Sequence, residues 1–491
     1  MRHKHIIIMI ALVTLVTGSL PLSLCKDVNS DTSFTASLGN NTLIYPGSTD
    51  TYDLLLISPL RFTEELEPFV NHKNSYGIAT ILVTLEDIYG GTYFETQGRD
   101  EAEMVKYFIR ECHETWDIRY VLLVGGRHGG LISEKWWIPV RYVHLDDKSQ
   151  WETRYLSDLY FADLYDSEGM FSSWDPNNNG IYGEWSGNTA EDKPLDLRPD
   201  VLVGRWACRN IFEVRIMVQK VITYETKSYD QSWFTKMICI AGDTYPAVQN
   251  SLWMGNEGET NTQRAIDWMP NHIPIKLWAS LGTLTGQKDV TRAVSAGCGF
   301  LFFDGHGSPM SWATHYPNST ESIDGLKVWK IPNLNNEDML PVCVVGGCHN
   351  SQFNISLLNF FKIYQGYEDW YLYIWKGETG PECFSWWLTR KIGGGSIATL
   401  GYSGLGYTQE DKNFQGEATE WLDTHFFWEY GINNTHILGD IWRNVITSYL
   451  DTYPINWQSP AGSNSALDAK TVQEWILLGD PSLMIGGYPP G

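Results

Sequence analysis

Short apolar runs ending in glycine or a polar turn alternate with amphipathic stretches along most of the chain, and this alternation is its strongest constraint on the fold. Tyr52–Ser58, Ile78–Val83 and Tyr120–Val124 read as strands. Between them, Pro59–Tyr76 places Phe62, Leu66, Phe69 and Val70 on one helical face, and Glu101–Thr115 does so with Met104, Tyr107, Phe108 and Ile109. Pro68 is expected to kink or split the first helix. Asp200–Arg205 is a further strand leading into a helix at Ile211–Tyr224. A second block has strands at Met237–Ala241, Ile273–Trp278, Gly299–Phe303, Val342–Val345 and Ser396–Leu400. Runs with no polar face are buried on both sides, and strands alternating with helices build parallel sheets. The predicted fold class is α/β, with mostly parallel sheets in two consecutive α/β subdomains, residues 51–230 and 231–491. The segment Ser133–Pro199 reads as loop-rich and aromatic.

At 491 residues the chain exceeds an ordinary single domain. Its net charge of −23 argues against nucleic acid as a partner, because phosphate backbones are held by Lys and Arg clusters. The start reads as an export signal over residues 1–25: Arg2 and Lys4, an apolar Ile6–Val16, then Thr17, Gly18 and Ser19. That run is too short to span a bilayer, so no stable membrane insertion is expected once the signal is removed, and the chain is expected to be secreted or held at the cell surface. Residues 26–50 read as a polar linker. Of 8 cysteines, Cys25 falls in the signal region, leaving an odd number and so at least one unpaired thiol. Asn40, Asn318, Asn354 and Asn433 begin Asn-x-Ser/Thr sequons.

Two segments carry the chemistry. Gly299–Ser308 ends in Asp304-Gly305-His306-Gly307, and Leu340–Asn350 ends in Gly346-Gly347-Cys348-His349. Ligand crevices in open α/β sheets lie beyond the carboxyl ends of the strands. If these two strands are neighbours, His306 and Cys348 share one sheet edge. An ordinary thiol is mostly protonated near neutral pH, so it needs a base such as imidazole to become a nucleophile. Gly307 lets the backbone approach a scissile carbonyl, and N–H groups at Gly307 and Cys348 are candidate oxyanion donors. A zinc site from Cys343, Cys348, His349 and His306 is a second reading, although its spacing is not that of paired knuckles. Gly401-Tyr402-Ser403-Gly404-Leu405 lacks the closing glycine of a serine-hydrolase elbow.

At these residues the chain resembles the gingipain family of cysteine peptidases, whose catalytic unit resembles the caspases. His306-Gly307 and Gly347-Cys348 match that group's pattern. Tyr120–Gly125, Asp200–Arg205, Pro381–Phe384 and Leu478–Leu483 extend the likeness over residues 51–488. The resemblance implies a caspase-like αβα sandwich and a cysteine endopeptidase acting on proteins or peptides, with Cys348 as nucleophile and His306 as general base. It also implies a carboxylate orienting the histidine from the loop after the second block's first strand. The matching position there is Thr244, and its neighbour Asp243 is the candidate. Arginine-specific members carry an aspartate after Gly-Glu-Ser; here Gly258-Glu259-Thr260 is followed by Asn261, which cannot pair bidentately with arginine. Glu257, Glu259 and Asn261, with Ser403 to Tyr407 as the other wall, are the implied substrate-binding residues. The alternative from another class is a catalytically silent surface protein that binds peptides or glycans.

One further motif stands apart. Asp175, Asn177 and Asn179 occupy positions 1, 3 and 5 of an EF-hand-like loop, followed by Gly180, the Ile181 carbonyl and Glu184. These are expected to hold a structural calcium ion; no organic cofactor is expected.

Overall fold

The computed structural model describes residues 51–490 except 132, 147–151, 153, 194, 250–254, 365–375 and 409–417. The expected export signal and linker lie outside the described residues. We number the strands of the two large sheets and the longer helices along the chain. They are β1 (Leu54–Ser58), α1 (Thr63–Ser75), β2 (Thr80–Thr84), α2 (Glu101–Trp116), β3 (Tyr120–Val124), β4 (Leu202–Trp206) and α3 (Ile211–Lys227). There follow β5 (Lys236–Ala241), α4 (Glu257–Asp267), β6 (Ile273–Trp278), α5 (Gln287–Ser295), β7 (Phe300–Asp304), β8 (Val342–Gly346) and β9 (Ala398–Tyr402). The last are α6 (Thr419–Gly431), α7 (Leu438–Thr452), α8 (Asn464–Glu474) and β10 (Trp475–Leu478).

The first sheet has the order β4-β3-β1-β2 and is parallel throughout. The second has the order β6-β5-β7-β8-β9-β10, parallel except for β10, which runs against β9 at the edge. This is the expected α/β architecture. Period-two alternation explains why both faces of the second sheet are covered. Ile238, Ile240, Leu301, Phe303, Cys343 and Val345 face one apolar layer, with Val290 and Val294 of α5 and Phe384. Met237, Cys239, Phe300, Phe302, Val342 and Val344 face the other, with Leu422, Phe426 and Phe427 of α6. Each such side chain contributes about 1.5–3 kcal/mol by leaving water. That is why these strands can afford no polar residue until they end.

Two local features differ from the sequence reading. α1 continues through Pro68 as one helix, because tertiary packing of Leu66 and Phe69 outweighs the one lost backbone bond. The middle of the chain is not merely loop: Tyr142–Leu145, Arg154–Leu156, Tyr182–Ser186 and Thr189–Ala190 form a small sheet. A buried ionic knot joins distant segments. Lys73 of α1 lies 2.8 Å from Glu225 of α3 and 2.7 Å from Asp480, just after β10. Removing one partner of such a knot strands a buried charge, at a cost of about 3–5 kcal/mol.

Candidate active site

Strands β7 and β8 are hydrogen-bonded neighbours, with Phe300 beside Val342 and Asp304 beside Gly346. His306 and Cys348 each lie two residues beyond the last pair, so the register delivers both to the same sheet edge. Neighbouring strands are about 4.8 Å apart. Both residues line one cavity, together with Thr244, Tyr245, Gly406 and Glu420.

Local packing holds this arrangement. His306–Ser308 pairs antiparallel with Ser311–His315, forming a hairpin. The Asn350 amide donates to the carbonyls of Ser308 (2.8 Å) and Ser311 (2.9 Å), tying the Cys348 loop to that hairpin. A Cβ on Gly307 would lie 2.5 Å from the Cys348 carbonyl oxygen, and one on Gly347 would lie 2.9 Å from the Gly307 nitrogen. Only glycines permit this approach. His349, at φ 60°, turns the chain away sharply after Cys348.

His306 Nε2 is 2.8 Å from the carbonyl oxygen of Thr244. A carbonyl only accepts, so Nε2 carries the proton and Nδ1 is the basic nitrogen of the neutral ring. Burial pushes the imidazole below its ordinary value; the Thr244 carbonyl opposes this and His315 adds to it. The Tyr245 ring stands edge-on to His306, with centroids 5.6 Å apart. Cys348 is half-buried, whereas the other described cysteines are buried and none is in a disulfide. Burial pushes its thiol up to about 11, and Glu474 pushes it in the same direction. Both shifts disfavour the charged forms, thiolate and imidazolium.

The expected carboxylate partner of His306 needs correcting. Asp243 Oδ2 instead accepts the Asn318 N–H, and the Asp243 main chain pairs with that of His315 at 3.2 Å in both directions. The strand end turns the Asp243 side chain beneath the hairpin, leaving the next carbonyl, that of Thr244, to face the imidazole.

Of the implied substrate-binding segments only Gly406, within Ser403–Tyr407, lines the cavity around Cys348 and His306; Glu257, Glu259, Asn261, Ser403 and Tyr407 do not. Glu257 opens α4, and its carboxylate accepts from the Gly255 (2.7 Å) and Tyr245 (3.1 Å) N–H groups. Glu259 is held by Ser280, and Asn261 is buried beside Asp304. Ser403 is buried and donates to the Leu156 carbonyl, while the Tyr407 carbonyl accepts from Thr419. The cavity floor carries other acids: Asp304 from β7, with Glu420 and Asp423 from α6. Burial pushes Glu420 up to about 8 and the other two well above the carboxylate range. Glu420 and Asp423 lie three residues apart in a helix whose sequence reads as ordinary surface charge. Only the sheet order shows that they sit beneath the catalytic edge.

The loop at 175–184 is held by its own side chains. Asp175 accepts the N–H groups of Asn179 (3.0 Å) and Gly180 (3.1 Å), and Asn179 Oδ1 accepts that of Ile181 (2.8 Å). The Asn179 amide reaches Glu184 at 2.7 Å. Asp192 is fully buried against Glu184, and its Oδ1 has no hydrogen-bond partner. Arg99 supplies positive charge from one side, 2.8 Å from Asp175. Among the described residues no three His, Cys, Asp or Glu side chains converge on a metal position. A hard cation here would therefore rely on amide and carbonyl oxygens beside Asp175 and Asp192. Oxygen donors of this kind are the type a hard cation takes, and Arg99 also bonds to Asp175 and Asn178. For zinc, Cys343 is buried inside β8, and no metal group includes it.

Comparison with known proteins agrees with this architecture. Gingipain R2 of Porphyromonas gingivalis is 22% identical over 307 residues, 61% of this chain and 32% of that protein. Gingipain R1 of the same organism is 21% identical over 311 residues, 62% of this chain and 24% of that protein. The matched segment thus spans a third or less of these relatives. The crystal structure of the Arg-specific cysteine proteinase gingipain R superposes with a TM-score of 0.58 at 17% identity, covering 89% of this chain and 78% of that one. The complex of Porphyromonas gingivalis RgpB pro- and mature domains gives 0.56 at 17% identity, covering 88% and 79%. These likenesses establish the caspase-like fold. The description "Peptidase family C25" matches residues 48–486. The chain belongs to peptidase family C25, the gingipain family of cysteine peptidases.

Proposed function

We propose that the protein is a secreted cysteine endopeptidase in which Cys348 attacks the peptide carbonyl and His306 manages the proton. The observation that carries this is the register of β7 and β8, which brings the two side chains past adjacent strand ends into one cavity. His306 Nδ1 takes the thiol proton as the C–S bond forms, because Nε2 is already committed to Thr244. The Thr244 carbonyl then stabilises the imidazolium, which returns its proton to the departing amine. The Gly307 and Cys348 N–H groups receive the oxyanion, and water releases the acyl group. The floor carboxyls Asp304, Glu420 and Asp423 favour a basic P1 side chain, which would draw their protons off. The loop at 175–184 takes calcium as a structural ion that stiffens the middle segment. No described helix is long and apolar enough to cross a membrane, and the apolar N-terminal run supports export.

The second reading, a silent binding protein of the same fold, would need a thiol that never ionises, and the upward push on the Cys348 thiol is the one observation on its side. Digestion of a peptide library decides between them. Thiol-dependent internal cleavage after Lys or Arg supports the peptidase, and binding without cleavage supports the silent protein.

A further inference from the structure

Next to the Gly404–Gly406 segment that meets Cys348 lies a buried ionic cluster that the reaction as described does not use. Lys470 Nζ is 2.5 Å from Glu152 and 3.8 Å from Glu474, one turn further along α8. All three side chains are nearly or fully buried. Both glutamates bond to the loop that leaves β9, Glu152 through its carboxylate and Glu474 through its main chain. The Leu405 N–H donates to Glu152 (2.6 Å), and the Ser403 N–H donates to the Glu474 carbonyl (2.9 Å). A Cβ on Gly404 would lie 2.5 Å from a Glu474 carboxyl oxygen and 2.7 Å from one of Glu152. The other face of the same segment meets the nucleophile. The His349 N–H donates to the Gly404 carbonyl (2.8 Å), and the Cys348 thiol reaches the Gly406 carbonyl at 3.6 Å.

We propose that Lys470, through its buried pair with Glu152, is a positioning residue that seats the Gly404–Gly406 segment against Cys348 and supplies the positive charge that balances a thiolate formed there. This rests on Cys348 being the nucleophile. Three residues separate the ion pair from the sulfur, so Lys470 acts on the thiol through the loop and through space, not by contact. The groups that face the thiol are Glu474, Lys470 and Glu152 of the cluster, Tyr245 and His306 in the cavity, and His349 next in its own chain. Glu474 and Glu152 push the thiol up and Lys470 pulls it down, so the balance is set by Lys470 against the two carboxyls. Burial pushes His349 below its ordinary value, and Glu152, 3.6 Å away, opposes this.

Opposite signs make the idea testable. The rate of iodoacetamide labelling at Cys348, read by mass spectrometry of its peptide across pH, gives the thiol midpoint without any peptidase assay. Lys470→Met should raise the midpoint by about one unit, as loss of a nearby opposite charge does. It should also lower kcat more than it raises KM, and Lys470→Arg should restore most of both. Glu152→Gln should lower the midpoint, because Lys470 is then opposed by one carboxyl fewer. If the two substitutions shift the midpoint in the same direction, or neither shifts it, the proposal is overturned. Should Lys470→Met fail to fold, Glu152→Gln alone decides: no downward shift refutes the pair's role. Failure of the peptidase reading would show separately, as peptide cleavage that survives loss of the Cys348 thiol.

Discussion

The Nε2 nitrogen of His306 lies 2.8 Å from the carbonyl oxygen of Thr244, so the backbone, not a carboxylate, fixes the imidazole's tautomer. A main-chain partner cannot titrate and cannot be removed by a side-chain change at Asp243. His306→Gln should therefore reduce kcat by about 10²- to 10⁴-fold, the range expected for losing a general base, with KM changed little. Asp243→Asn should cost far less, since its carboxylate binds Asn318 rather than the imidazole. Steady-state kinetics on one peptide substrate checks both; equal losses would restore Asp243 to a direct role.

The acid floor gives the fold a characteristic pH response. Glu420 ordinarily loses its proton near 4.5, but in the folded protein it does so at about 8. The folded state therefore holds this proton more tightly than the unfolded chain. The resulting stability is complete below about pH 4.5 and fades as the pH rises toward 8. The melting temperature should fall across that window. Glu420→Gln, neutral at every pH, should flatten the fall, with a difference of up to roughly 5 kcal/mol between the ends. Parallel melting curves for the two proteins would contradict the assignment.

Calcium should raise the melting temperature by a few degrees, through binding to the folded state alone. Asp192→Asn should remove most of that gain, because it alters a buried carboxyl oxygen beside the loop that has no hydrogen-bond partner. Scanning calorimetry with calcium and with chelator tests this. An unchanged transition would mean that Arg99 alone satisfies the loop's charge.

The strands around the site were legible because burial on both faces leaves an unmistakable run, as at Phe300–Asp304 and Val342–Gly346. His306 and Cys348 were legible because each follows such a run at a glycine. What stayed hidden depends on which segments become neighbours. Glu152, Lys470 and Glu474 belong to separate elements, and nothing in their local sequence says that they will meet next to the segment that contacts Cys348. The resemblance pointed to position 244, but Thr244 has no carboxylate and a carbonyl has no sequence signature, so its neighbour Asp243 was chosen on residue type. Likewise, Glu257 and Glu259 looked available until the structure showed their oxygens taken by Gly255, Tyr245 and Ser280.

The central claim is that the Cys348 thiol cleaves peptide bonds. The most direct measurement compares hydrolysis of a peptide library by the purified protein and by Cys348→Ala, under reducing conditions with calcium. The account predicts internal cleavage by the first and none above background by the second, with both proteins showing the same circular dichroism spectrum. Cleavage by Cys348→Ala at a rate comparable to the parent would contradict it.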